Sequence, residues 1–148
     1  MRGWGLAVLL VGAVGCSSPV EQVSPSRTPV SSPGADVVAT DFDNGGRVQL
    51  RVGQVFDIVL ADDYETTNCQ WHDKNGYDWA VLQPLGSLYD PHKKPPDGSQ
   101  NATYTSRFTA KGPGAVHVTL SEEDNAYPPR VARSFSIDVD VTTESVNS

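Results

Sequence analysis

Cysteine is scarce in this chain, with Cys16 and Cys69 the two it has, so a framework of several disulfides cannot be what holds it together. Basic residues are short as well: 11 Lys and Arg stand against 18 Asp and Glu, a formal net charge of −7. A surface of that sign repels polyanions, which argues against nucleic acid as a partner and against electrostatic adhesion to anionic lipid. Helical patterning is missing. From residue 36 onward no stretch carries an apolar 3.6-residue stripe over three turns, and prolines at 84, 91, 95, 96, 113, 128 and 129 would interrupt one. The apolar run over 4–14 is shorter than the about 20 residues a membrane-spanning helix needs. Three signatures of catalysis are absent too: no G-x-S-x-G elbow, no H-E-x-x-H and no phosphate-cradling glycine loop.

What is present begins with a targeting signal. Arg2, the apolar run and then Gly15 and Cys16 read as an export signal over 1–15. Ala13, Val14, Gly15 and Cys16 resemble a bacterial lipobox, which implies cleavage before Cys16 and lipid attached to that residue. Ala stands where the usual Leu would be, and Arg2 is the whole positive region. Residues 17–35 are rich in Ser, Pro and Val without a periodic apolar face. Together with Cys16 they form an expected tether over 16–35. At about 3.1 Å per residue, an extended tether of that composition holds a domain up to roughly 60 Å from a bilayer. The expected location is therefore the outer face of a bacterial cell membrane, or of an outer membrane where one exists. A lipid-modified Cys16 has no thiol to share, so Cys69 is expected to be an unpaired, buried apolar residue.

Residues 36–142 fit one domain, with 143–148 as a frayed tail. Its signal is alternation. Val48, Leu50 and Val52 fall on one face with Gln49 and Arg51 on the other, and Phe56, Ile58 and Leu60 repeat the pattern after Gly53. Tyr104 and Phe108 do so later, as do Val116, Val118 and Leu120, and then Phe135, Ile137, Val139 and Val141. Short alternating runs separated by turn clusters predict an all-β, Ig-like antiparallel β-sandwich of about seven to eight strands. Asn44 and Gly45, between strands over 37–42 and 47–52, have the composition of a tight turn. Residues 78–82 read as a further strand. Trp71 is expected in the core, where a tryptophan packed between two sheets is a recurring feature of such sandwiches.

Little catalytic chemistry survives inspection. Cys69 and His72 are the nucleophile and base closest in sequence. On a strand that starts near Trp71 their odd spacing puts them on opposite faces, so no catalytic residue is assigned and no enzyme is expected. Asp41, Asp43 and Gly46 begin like a calcium loop, but the twelfth position, where an EF-hand needs Glu, is Val52. Glu122, Glu123, Asp124 and Asn125 read as a solvated hairpin tip or a weak calcium site. No metal and no cofactor are assigned.

The order of strands and loops resembles the chagasin family of cysteine-protease inhibitors, small Ig-like sandwiches. The residues that carry the resemblance run from Asp43, Asn44 and Gly45 through Val48, Leu50, Val52, Gly53 and Gln54, then Phe56, Ile58 and Leu60 to Thr66, Thr67 and Trp71, and resume over about 98–141. In that family three loops at one end enter the protease cleft, with N-P-T-T-G, G-x-G-G and R-P-W motifs. Carried over by position, the first falls on Tyr64, Glu65, Thr66, Thr67 and Asn68, keeping the two threonines. The second falls on Gly98, Ser99, Gln100 and Asn101, keeping its first glycine. The third falls on Glu123, Asp124 and Asn125, keeping nothing, with Tyr127, Pro128 and Arg130 just beyond. The resemblance implies a monomeric domain that occludes the cleft of a papain-like cysteine protease, Thr66 and Thr67 facing its active site and Tyr64 and Tyr127 serving as aromatic anchors. The rival expectation is a non-inhibitory Ig-like binding module of the cell envelope.

Overall fold

A computed structural model describes residues 32–74 and 76–143. The signal over 1–15, Cys16, the tether over 16–31 and residues 144–148 lie outside the described residues. Among the described residues eight strands form two sheets: β1 (Val37–Thr40), β2 (Gly46–Arg51), β3 (Val55–Asp62), β4 (Gln70–Asp73), β5 (Leu82–Asp90), β6 (Ala102–Ala110), β7 (Gly114–Glu123) and β8 (Val131–Thr142). One sheet has the order β1-β3-β6-β5 and the other β2-β8-β7-β4. This is the expected Ig-like sandwich. β1 and β2, each at a sheet edge, pair in parallel with β3 and β8, and the other pairings are antiparallel.

The alternation read from the sequence becomes the core. Phe56, Ile58 and Leu60 of β3 and Phe108 of β6 face Val118 and Leu120 of β7 and Phe135, Ile137 and Val139 of β8, all of them buried. Burying side chains of this kind contributes about 1.5–3 kcal/mol each relative to leaving them in water. Trp71 on β4 joins them at 6 % exposure, its indole N–H donating to the Ala61 carbonyl at 3.1 Å. That bond lets an aromatic with a polar edge sit between the sheets without stranding a donor.

Three expectations are corrected. Asn44 and Gly45 lie in the expected turn, but the strand before it ends short of residue 42, and the turn passes between sheets, since β1 and β2 belong to different ones. Strand β1 stops at Thr40, where the Asp43 carboxylate accepts from the Thr40 amide at 2.8 Å and caps a short 3-10 turn over Asp41–Asp43. Asn44 then bonds across to β8 through Ser134 and Ser136, and Gly45, with φ of 78°, turns the chain into the second sheet. Residues 78–81 form a turn rather than a strand: the Asp78 carbonyl accepts from the amides of Val81 and Leu82, and Trp79 is 63 % exposed. Finally, the packed unit reaches back to Ser32. The Ser32 hydroxyl donates to the buried Asp57 carboxylate at 2.5 Å, and Arg107, which holds Asp57 through two bonds, also donates to the Pro33 carbonyl at 2.6 Å.

Candidate functional site

Strand register brings the three expected loops to one end of the sandwich. Asp62, the last residue of β3, pairs with Ala102, the first of β6, so the segment after β3 and the loop over 91–101 leave side by side. Gln70, the first of β4, pairs with Glu123, the last of β7. The loop over 124–130 therefore emerges there too.

Each loop is shaped by local chemistry. After β3 the chain makes the single helical turn α1 (Tyr64–Thr67). The Asp62 carboxylate accepts from the Tyr64 amide at 2.8 Å. The Thr67 hydroxyl lies 3.2 Å from the Asp63 carbonyl and 3.1 Å from its carboxylate, and accepts from the Cys69 amide at 3.1 Å. Asn68 ends the turn in the left-handed region, φ 56° and ψ 20°, a conformation asparagine adopts more readily than other non-glycine residues. Thr67 is thus a turn former, while Glu65 and Thr66 are exposed at the surface. Tyr64 is half-buried against Tyr89, ring centroids 6.0 Å apart and edge to face.

The second loop turns at Gly98, φ 66°, and the Asp97 carboxylate accepts from the Ser99 amide and hydroxyl at 3.0 and 2.7 Å. Gly98, Ser99 and Asn101 are exposed and Gln100 is half-buried. The third loop is closed at Asp124, whose amide donates to the Arg130 carbonyl at 3.1 Å and whose carboxylate gathers the remaining donors. Asp124 accepts from the amides of Ala126 and Arg130 and from the Arg130 guanidinium at 3.1, 2.8 and 2.7 Å. Those donors, the Arg130 amide foremost, hold the Asp124 carboxyl below its usual range. At the tip of this closed loop Asn125 is exposed and Tyr127 fully so.

Glu123 does not belong to that surface, contrary to expectation. It is the last residue of a strand, buried, and bonded to the Lys74 ammonium at 2.9 Å, which pulls its carboxyl below the usual range. Glu122 is 1 % exposed. The acidic run is therefore no solvated tip.

Sequence reasoning missed the group that lies under the loops. Arg133 donates to Glu122 at 2.5 and 3.0 Å and to the Ala61 carbonyl at 2.9 Å, approaches Asp63 at 3.9 Å, and stacks over the Trp71 ring at 5.3 Å. It ties both sheets to the start of α1. Carboxylate oxygens of Asp62, Asp63 and Glu122 lie within 4.8 Å of one another. Burial is the largest cause raising the carboxyls of Glu122, Asp62 and Asp41, while Glu122 in turn raises the guanidinium. A signal was available: Asp62, Glu122 and Arg133 continue the inward-facing alternation of Leu60, Leu120 and Phe135. A charge at an inward position of a strand end marks a buried polar cap.

The pair Cys69 and His72 is separated as expected, the thiol buried and the imidazole exposed. Such an end can present shaped backbone and an aromatic to a partner.

No protein-family model matches the sequence, and no curated protein is similar to it in sequence. Solved structures are similar in fold. The cysteine protease inhibitor EhICP2 from Entamoeba histolytica aligns with a TM-score of 0.58 at 11 % identity, covering 74 % of this chain and all of that one. Amebosin aligns with a TM-score of 0.52 at 17 % identity, covering 72 % of this chain and 97 % of that one.

Proposed function

We propose that the domain inhibits papain-like cysteine proteases by inserting its loop end into the active-site cleft. One observation carries this reading: three separately shaped loops, around Thr66, Gly98 and Tyr127, converge at one end of a sandwich similar in fold to a cysteine protease inhibitor. The mechanism is occlusion. No bond is made to the protease thiol; the loops exclude substrate because hydrogen bonds already hold them in shape, so little ordering entropy is lost on binding. Tyr127, a rigid aromatic offered to solvent, supplies the anchor expected of an interface hot spot. Thr66 and Glu65 meet the cleft beside it, and Ser99 and Asn101 flank them.

Titrating residues 32–148 against papain and a cathepsin L type protease tests the reading, with competitive inhibition below micromolar concentration expected. Thr66→Arg and Tyr127→Ala should each weaken inhibition at least about tenfold with thermal midpoints within about 2 °C of wild type. No inhibition at micromolar concentration would leave the domain a non-inhibitory binding module. The chain is further proposed to be exported and lipid-anchored through Cys16. Mass spectrometry of the mature N-terminus checks this, since a Cys16→Ser chain that still carries acyl groups refutes the assignment.

A further inference from the structure

Beside α1, at the edge strands β4 and β5, a cavity of about 270 Å³ open to solvent is lined by Tyr64, Trp71, Tyr89 and Tyr104 together with Asp62, Gln70 and Ser87. Its composition is unlike that of an apolar packing void. The rings form two pairs, Tyr64 with Tyr89 edge to face at 6.0 Å and Trp71 with Tyr104 stacked at 6.5 Å. The Asp62 carboxylate is 3 % exposed, and the buried Tyr89 hydroxyl has no hydrogen-bond partner. Aromatic rings attract cations through their quadrupoles, and a carboxylate at the same wall adds full charge.

The surrounding charges leave room for one more cation. Asp62 and Asp63 come from β3 and its end, Glu122 from β7 and Asp41 from the 3-10 turn, and the Tyr89 hydroxyl is raised by burial first and then by Glu65 of α1. Against these stands Arg133 of β8, which donates to Glu122 and the Ala61 carbonyl and approaches Asp63 at 3.9 Å. Burial is the largest cause raising the Asp62 carboxyl, the neighbouring Asp63 adds to it, and the Tyr64 amide and Arg133 oppose the shift.

We propose that this cavity binds an organic ammonium group, either the quaternary head of a small amine or the ammonium tip of a lysine presented by another molecule. Ligand pockets usually span about 300–1,000 Å³. At about 270 Å³ this one takes a head group and not a whole large ligand. The pocket adjoins the loop end, and the proposal does not rest on protease inhibition.

The test titrates the full chain with choline, with N-acetyl-lysine methylamide, and with 3,3-dimethylbutan-1-ol, the neutral isostere of choline. The readouts are calorimetry and the NMR shift of the Trp71 indole N–H. At least one ammonium should shift that resonance saturably, and the alcohol should bind about tenfold more weakly or less. The tighter of the two ammonium probes identifies the source. Asp62→Asn and Tyr89→Leu should each weaken ammonium binding about tenfold, while Tyr89→Phe, which keeps the ring, should hold it within about threefold. No saturable shift with either ammonium up to about 50 mM, an alcohol that binds as well as choline, or an unaffected Asp62→Asn would each overturn the proposal. The comparison of choline with its isostere uses wild-type protein, so it stands even where a variant fails to fold.

Discussion

Trp71 shows how one side chain joins the fold to its working end. Its ring fills the space between the sheets, its N–H bonds the Ala61 carbonyl, and Arg133 lies over one face. Trp71→Ala should cost about 3–5 kcal/mol in denaturant unfolding, a large part of the stability of a domain this size. Asp62 behaves in the opposite sense. Its folded carboxyl titrates above the unfolded value of 3.8, so the folded state holds the extra proton between those two values, and stability falls as pH rises through that window. Asparagine retains the acceptor for the Tyr64 amide without the charge. The thermal midpoint of Asp62→Asn relative to wild type should therefore be higher at about pH 7 than at about pH 4; an offset that does not change with pH would refute this account of the cap. Trp71 was legible in the sequence because sandwiches of this kind recurrently pack a tryptophan between their sheets; being a tryptophan near strands is not enough, since Trp79 is 63 % exposed. Arg133 and Glu122 were not, because charges default to solvent in a residue-by-residue reading. Only extending the alternation of Phe135 and Leu120 by one step places them inside.

At the level of elements, the central strands were readable and the connections were not. β3, β7 and β8 announce themselves by period two, which a strand needs in order to present one apolar face. The turn over Asp41–Asp43 and the helical turn α1 depend instead on which side chain reaches which amide, and composition alone does not decide that. Asp124 is the clearest case: its carboxylate, with the backbone bond from its amide to Arg130, shapes the loop that presents Tyr127. Its depressed carboxyl means that this contribution is present above the unfolded value of 3.8 and is lost as pH falls through the lower folded value. Asp124→Ala should speed hydrogen exchange at the amides of Ala126 and Arg130 about tenfold or more while exchange in the core of β3 is unchanged. Equal rates in the two proteins would show that the loop is held by something else.

For the whole molecule, fold and function part company in how they are encoded. A sandwich tolerates wide sequence change as long as inward positions stay apolar, which is why identities of 11 % and 17 % accompany a shared fold. The loop end keeps little of the family's motif chemistry. Thr66, Thr67 and Gly98 match the motifs of the family the sequence resembles, Thr67 forms the turn, and Tyr127 stands beyond the position where an aromatic was expected. Shape held by Asp62, Asp97 and Asp124 takes the place of matching residues. Occlusion makes a physical demand that mere binding does not: the protease thiol must become inaccessible. The rate at which iodoacetamide alkylates the catalytic cysteine of papain, measured as residues 32–148 are titrated in, reads this out. The rate should fall to a low plateau at one domain per protease and stay high with Tyr127→Ala at the same concentration. An alkylation rate unchanged at saturating domain would contradict insertion of the loop end into the cleft.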